Sequence, residues 1–242
     1  MANESSATRR RTRVSVAGWY LLLTGLSLII LFPVWMTIVR ALSEPFIYIE
    51  EGQPLYPVSI DWGVFSTAWS DGDLGRSMAL TLLVTAIITV FQLVTSVLAA
   101  YSFAFVRFPF KNTLFVVLLA SLLLPVEVTL IANVRTIREL GWLDSAQGLS
   151  APFLASAFGI FLIRQGFLGV PSELRDAARI DGFGHFAFLR RVAIPVNRPI
   201  IASFTLITAL AAWNQYLWPR TATTQERWET IQVTLRSISV QR

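Results

Sequence analysis

The chain has 242 residues, 54% of them hydrophobic and only 14% charged, with a formal net charge of +5 and a mean hydropathy of +0.59. Soluble domains carry about 25% charged residues, so this composition excludes an ordinary water-soluble domain and points to an integral membrane protein. No cysteine and a single histidine exclude disulfides, thiolate chemistry and a multi-histidine metal site. The arginines gather at the edges of apolar runs rather than in a patch suited to nucleic acid.

In chain order, the polar tail 1–13 carries Arg9, Arg10, Arg11 and Arg13. Its composition predicts a disordered cytoplasmic segment lying near anionic lipid. Apolar runs follow at roughly 17–39, 77–106, 113–133, 148–170 and 199–219. Each reaches the ~20 residues that a helix needs to cross a bilayer. An all-α integral membrane fold with five spans over residues 14–220 is therefore expected. The first run is too long for a signal peptide and lacks a small-residue cleavage site. Trp19 and Tyr20 open the first span, and Trp213, Tyr216 and Trp218 close the fifth, as interfacial aromatics do. Arg40–Arg76 reads as an outer segment with turn signals at Pro45, Gly52, Pro54 and Pro57. Arg107–Asn112 reads as a tight inner turn, Arg135–Gln147 as a short outer loop and 221–242 as an extracytoplasmic C-terminal segment. With the N-terminus inside, Arg107, Lys111, Arg175, Arg179, Arg190, Arg191 and Arg198 all fall on the cytoplasmic side of a multi-pass plasma-membrane protein, as the positive-inside rule requires.

The loop 171–198 is written as two short helices rather than as a linker. Ser172 reads as an N-cap, and Glu173 and Asp176 place negative charge in the first turns. Ala177 and Ala178 favour helix while offering almost no side chain. Gly182 sits where a helix would stop, at a position tolerating positive φ. A second helix runs from about His185 until Pro195 blocks it. A small-faced helix held outside the membrane suits a socket on another protein, with Arg175, Asp176 and Arg179 as rim pairs. The bland alternative is an amphipathic helix lying on lipid.

Asp176-Ala177-Ala178, three residues, Gly182 and then Pro195 resemble the coupling loop of binding-protein-dependent ABC importer permeases, whose pattern opens on Glu where this chain has the shorter Asp. Pro125-Val126-Glu127-Val128, Leu143-Asp144-Ser145, Phe161–Gln165 and Asn214–Pro219 extend the similarity to the carbohydrate-uptake group, and within it to the second permease subunit of glycerol-3-phosphate and glycerophosphodiester importers. The resemblance implies the type I importer transmembrane fold and a non-catalytic permease. Its partners would be a second permease, two ATP-binding subunits and an extracytoplasmic solute-binding protein. This chain would bind no cofactor and no metal, with ATP and Mg held by the ATPase subunits; no Gly-x-x-x-x-Gly-Lys phosphate loop is present here. The coupling residues would be Glu173, Asp176, Ala177, Ala178, Arg179, Asp181, Gly182 and Pro195. Members of the family have six spans, so the chain is expected to lack the last one. A sugar or oligosaccharide permease and a truncated, non-functional copy are the alternative readings.

Four polar residues within spans are candidates for the substrate path. Glu127 is a charge inside a span and so a functional candidate. It could line the pore against glycerol hydroxyls or a choline-like cation, or serve as a structural partner of Asn133 or of the second permease. Arg164 could snorkel to headgroups or attract an anionic substrate near the exit. Asn214 and Gln215 could line the entry path or bond across helices. His185 reads as part of the coupling-loop surface. A membrane enzyme would need clustered acid, base or metal groups at membrane depth. An ion-driven transporter would show several intramembrane ionisable groups and inverted repeats. The sequence carries neither.

Overall fold

The computed structural model describes the backbone of residues 3–71 and 73–241, and the side chains of 16–238 apart from those of 68, 71, 72, 126 and 127. Two compact units divide the chain, Met1–Asp71 and Gly72–Arg242.

In the first unit, helix α1 spans Asn3–Leu42. Its stretch Val16–Leu42 is long and apolar enough to cross a membrane, and its apolar side chains are exposed nearly all round, as on a lipid-facing helix. The described part of the basic tail is helical rather than disordered. Extending an existing helix is far easier than starting one, and no Gly or Pro interrupts residues 3–17. Helix α2 (Pro45–Glu50) is capped by the Glu44 carboxylate, which accepts from the Ile47 amide at 2.7 Å. The chain then folds back on the end of α1. Ser43 Oγ donates to the Val39 carbonyl and accepts from the Val58 amide, over a small core of Val39, Tyr48 and Val58. Helix α3 (Gly63–Asp71) closes the unit.

The second unit is organised around α4 (Leu74–Phe105), a straight apolar helix of 32 residues. It matches the expected span 77–106. The other three expected spans are not straight helices. Residues 113–133 divide into α5 (Lys111–Ala120) and α6 (Val126–Glu139), separated by a 3-10 turn and an extended Leu124–Pro125. Proline drives the residue before it out of the helical region. Residues 148–170 divide into α7 (Ala146–Ser150) and α8 (Ala157–Leu168), bent by 49°. Loop 171–198 holds α9 (Ser172–Ile180), α10 (His185–Phe188), a π-helical turn at Leu189–Ala193 and α11 (Ile194–Val196). The last expected span is α12 (Arg198–Trp213), which ends at Asn214 before α13 (Leu217–Ala222). Helix α14 (Ile231–Gln241) follows, so the segment read as 221–242 is largely helical. It is pinned to α4 by the Ser77–Thr234 hydroxyl pair at 2.9 Å.

Two apolar cores flank the middle of α4. One joins Val97, Ala100 and Tyr101 to Ile163, Phe167, Ala178, Phe188 and Phe204; the other joins Val84 and Ile88 to Ile137, Leu149, Ala212 and Trp218. A polar layer lies between them. Gln92 donates to the Phe153 carbonyl at 2.7 Å and accepts from Thr208 Oγ1 at 3.3 Å, and Thr95 Oγ1 donates to the Leu154 carbonyl at 3.0 Å. These bonds explain how the α7–α8 break is tolerated. Carbonyls freed from a helix at membrane depth need internal partners, and α4 supplies them.

Candidate functional site

Two places combine exposure, polarity and unusual backbone. The first is α9. Every residue of this helix is exposed except Ala178, which is 5% exposed and belongs to the core against α4 and α8. Ala177 faces outward, as do Glu173, Asp176 and Arg179. The Asp176–Arg179 pair is 3.8 Å apart and exposed on both sides, so it contributes little to stability. Pro171 occupies the N-cap position without a side-chain bond and Ser172 is the first helical residue. Ser172 is therefore not the cap that was expected.

The end of α9 follows the expectation closely. The Phe183 amide bonds to the Ala178 carbonyl at 2.8 Å, and the Gly182 amide to the Arg179 carbonyl at 3.0 Å. This is the paired 6→1 and 5→2 pattern of a Schellman cap, with Asp181 as the C-cap and Gly182 at φ +75°. Pro195 does not stop the second helix. It sits in α11, which follows directly on the π-helical turn Leu189–Ala193, so the helix runs through it and yields at Asn197 instead.

Sequence reasoning missed the apolar part of this surface. Ile180 is 87% exposed, and Leu174 and Phe186 are also bare. Leu174, Ala177 and Ile180 form an apolar crest on the otherwise charged α9. The available signal was Leu174, Ala177 and Ile180 at three-residue spacing, one face of a helix, on a segment outside the apolar runs.

The second place is the break between α12 and α13. Asn214, Gln215 and Tyr216 interrupt the helix beside a cavity of about 390 Å³, to which α6 contributes Leu130 and Asn133. Asn214 Nδ2 donates to the Leu210 carbonyl at 2.8 Å. Among the described residues Gln215 Oε1 is buried without a hydrogen-bond partner, which is costly unless something else occupies it. The wall is held by Trp218, whose Nε1 donates to the Leu149 carbonyl at 3.1 Å. Asn214 and Gln215 thus come together with Asn133 in this amide cavity, whose other walls are mainly apolar and aromatic, among them Leu130, Phe153 and Trp218, a combination that can meet hydroxyls and the carbon face of a polyol.

Arg164 is placed elsewhere. Its Nε donates to the Phe103 carbonyl at 3.1 Å and its guanidinium lies 4.1 Å from the centre of the Phe115 ring, so it joins α8 to α4 and α5 and does not line the amide cavity. The side chain of Glu127 lies outside the described residues. His185, read as plain surface, is bonded to Tyr101.

Residues 92–237 match the family described as Binding-protein-dependent transport system inner membrane component. The chain is 35% identical over 236 residues to the sn-glycerol-3-phosphate transport system permease protein UgpE of Rhizobium meliloti (strain 1021), covering 95% of this chain and 83% of that protein. It is 34% identical over 217 residues to the protein of the same name from Yersinia pestis bv. Antiqua (strain Antiqua), covering 87% and 77%. Among solved structures, a chain of a bacterial ABC transporter involved in the import of the acidic polysaccharide alginate superposes with a TM-score of 0.84 at 26% identity, over 96% of this chain and 82% of that one. An all-helical membrane fold, an α9–Gly182 arm outside the apolar helices and these likenesses agree: the chain belongs to the binding-protein-dependent transport system inner membrane components, as a permease of the UgpE type.

Proposed function

We propose that this chain is a non-catalytic permease subunit of an ATP-driven importer that carries sn-glycerol-3-phosphate or a glycerophosphodiester across the plasma membrane. The substrate follows the names of the relatives. The observation that carries the mechanism is α9, a helix whose one buried residue is Ala178 and that bares Leu174, Ala177 and Ile180. An apolar crest with a charged rim of Glu173, Asp176 and Arg179 fits a cleft on an ATPase subunit. ATP and Mg are held there, and closure of two such subunits moves the helix. Gly182 and Asp181 aim the arm, and Pro195 lies in the helix that returns it to the bundle. A second permease completes the path, and a solute-binding protein delivers substrate on the opposite face. The N-terminus is cytoplasmic, and the five apolar segments cross the membrane as two straight helices and three bent ones.

The amide cavity is the substrate station in this reading. Asn214 and Gln215 recognise the glycerol hydroxyls, Gln215 by a side-chain rotation that brings its buried, unpartnered Oε1 to the cavity surface. Glu127 of α6 is carried as a further candidate for that path from the sequence alone. Arg164 steadies the bundle near the exit. An amide-lined cavity would equally suit a sugar, and the alginate importer's likeness makes that the second reading. The test uses a chain that contains no cysteine. Ile180→Cys in the assembled transporter should crosslink to the ATPase, and proteoliposomes should take up sn-glycerol-3-phosphate when binding protein and ATP are supplied. Crosslinking without uptake of the phosphate, but with uptake of an oligosaccharide, favours the second reading. No crosslink from either Ile180→Cys or Ala177→Cys refutes the docking arm.

A further inference from the structure

The only histidine of the chain stands where the α9 arm turns back to the bundle. It is the first residue of α10, three residues beyond the left-handed Gly182. Tyr101 Oη lies 3.0 Å from His185 Nδ1, and the two rings meet edge to face with centroids 5.9 Å apart. Tyr101 belongs to the last turns of α4. It is 7% exposed and is wedged among Phe105, Phe167 and Phe188 at 5.1 to 6.4 Å between ring centres. His185 itself is exposed. One partner is therefore fixed in the core, and the other rides on the arm.

The space behind the arm makes this bond consequential. A cavity of about 260 Å³ separates α9 from the end of α4, with Arg175, Ala178 and Arg179 on one wall and Tyr101 and Phe105 on the other. Backing of this kind leaves room for a displaced helix to tip inward rather than carry its neighbour along. Apolar packing of Ala178, Phe183 and Phe188 closes on α4 around it, and the Tyr101–His185 bond adds a directional tie at the rim. We propose that the Tyr101–His185 hydrogen bond is a strut that makes the α9 arm and α4 move as one body, with His185 and Tyr101 as positioning residues for coupling. α4 is the helix whose Gln92 braces both the α7–α8 break and α12. A push on α9 delivered to α4 therefore reaches the helices around the amide cavity. The inference rests on the coupling-arm reading and adds the element that stiffens it.

The strut is tested in the assembled transporter, with nitroxide labels on Ile180→Cys and Leu98→Cys, two exposed positions on the arm and on α4. The distance distribution between them is recorded in the ATP-bound state. Tyr101→Phe keeps the ring and removes the bond; His185→Leu removes the bond from the surface side. A neutral hydrogen bond is worth roughly a 2- to 10-fold change in an equilibrium. Each variant should broaden the distribution into a second population and lower substrate moved per ATP by a factor in that range. The double variant should be no worse than either single, because both remove the same interaction. His185→Asn offers an amide donor and acceptor at the position of Nδ1 and should restore the narrow distribution whichever ring group donates. An unchanged distribution in His185→Leu overturns the strut, as does failure of His185→Asn to rescue. Since His185 is exposed, its variants decide the matter even if Tyr101→Phe fails to assemble. Crosslinking of Ile180→Cys to the ATPase, read separately in each variant, reports whether the arm docks at all. Its loss in the otherwise unsubstituted chain would count against the coupling-arm reading rather than the strut.

Discussion

Gly182 allows the arm to be perturbed with almost no side-chain chemistry. Its φ is +75°, and a Cβ built there meets nothing within 4 Å. Any penalty for substitution is therefore set by the backbone. An L-residue held in the left-handed region costs about 1–2 kcal/mol, with Asn cheaper because it adopts that region more readily, and a β-branched residue dearer. The Schellman bonds from Gly182 and Phe183 to Arg179 and Ala178 then compete with a relaxed turn that re-aims α9. One to two kcal/mol corresponds to about 5- to 30-fold in the population of the native turn. The expected order of Ile180→Cys crosslinking to the ATPase, and of substrate moved per ATP, is Gly182 wild type, Gly182→Asn, Gly182→Ala, then Gly182→Val. Equal coupling in Gly182→Val and wild type would refute the idea that turn geometry aims the arm. A Gly182→Asn variant worse than Gly182→Val would show instead that side-chain polarity at the partner surface controls the effect.

Three further outcomes follow from other parts of the fold. A Cβ at Gly159 would collide with Phe204 Cζ and Ser96 Oγ, and Phe204 is 1% exposed. Gly159→Ala should therefore cost about 1–3 kcal/mol by overpacking and lower the melting temperature in detergent, whereas Gly18→Ala, with nothing within 4 Å, should not. Asp144 is partly desolvated, which raises its pKa, but hydrogen bonds from Thr224 Oγ1 and from the Thr224 and Gln225 amides, with Arg227 nearby, outweigh this and hold it below the ordinary carboxylate value. A depressed folded pKa stabilises above the unfolded value, about 4, and the contribution is lost as pH falls through the folded one; amide exchange at 224 and 225 should therefore be slower in wild type than in Asp144→Asn at pH 7, and the difference should vanish in acid. Gln215→Leu removes a neutral acceptor worth about 1 kcal/mol, so KM for sn-glycerol-3-phosphate should rise about fivefold with crosslinking unchanged, and an unchanged KM would take Gln215 off the path.

The features legible in the sequence were those carried by neighbours along the chain. Apolar runs set the membrane segments, and Ala177, Ala178 and Gly182 announced both the arm and its stop. The bends were less visible because long-range partners permit them. Residues 153 and 154 leave the helix where Gln92 and Thr95, some 60 positions earlier, donate to their carbonyls. Nothing local to Phe153 and Leu154 encodes that support. His185 is the same case on the functional side. Its role depends on Tyr101, 84 residues away, and alone in a charged loop it reads as surface. Pro195 misled in the opposite direction. A proline signals a helix end, but here the helix runs through it behind a π-helical turn, and the chain breaks two residues later.

Helix α9 packs toward the C-terminal end of α4 and the amide cavity borders Phe153, which Gln92 holds at its middle, so the polar layer bears on how the two places communicate. An all-apolar α4 would pack against α8 and α12 through shape alone, and such contacts slide at little cost in lipid, where no hydrophobic force holds helices together. Gln92 instead holds two groups at once, the Phe153 carbonyl and Thr208 Oγ1, and Thr95 holds a third. Sliding α4 by one residue would leave freed carbonyls unpaired where water cannot reach them. The register between α4, the bent α7–α8 pair and α12 is thus fixed by hydrogen bonds as well as by the packing of the two cores. A tilt imposed on α4 at Tyr101 must carry these helices with it, and α12 ends at Asn214, on the wall of the cavity.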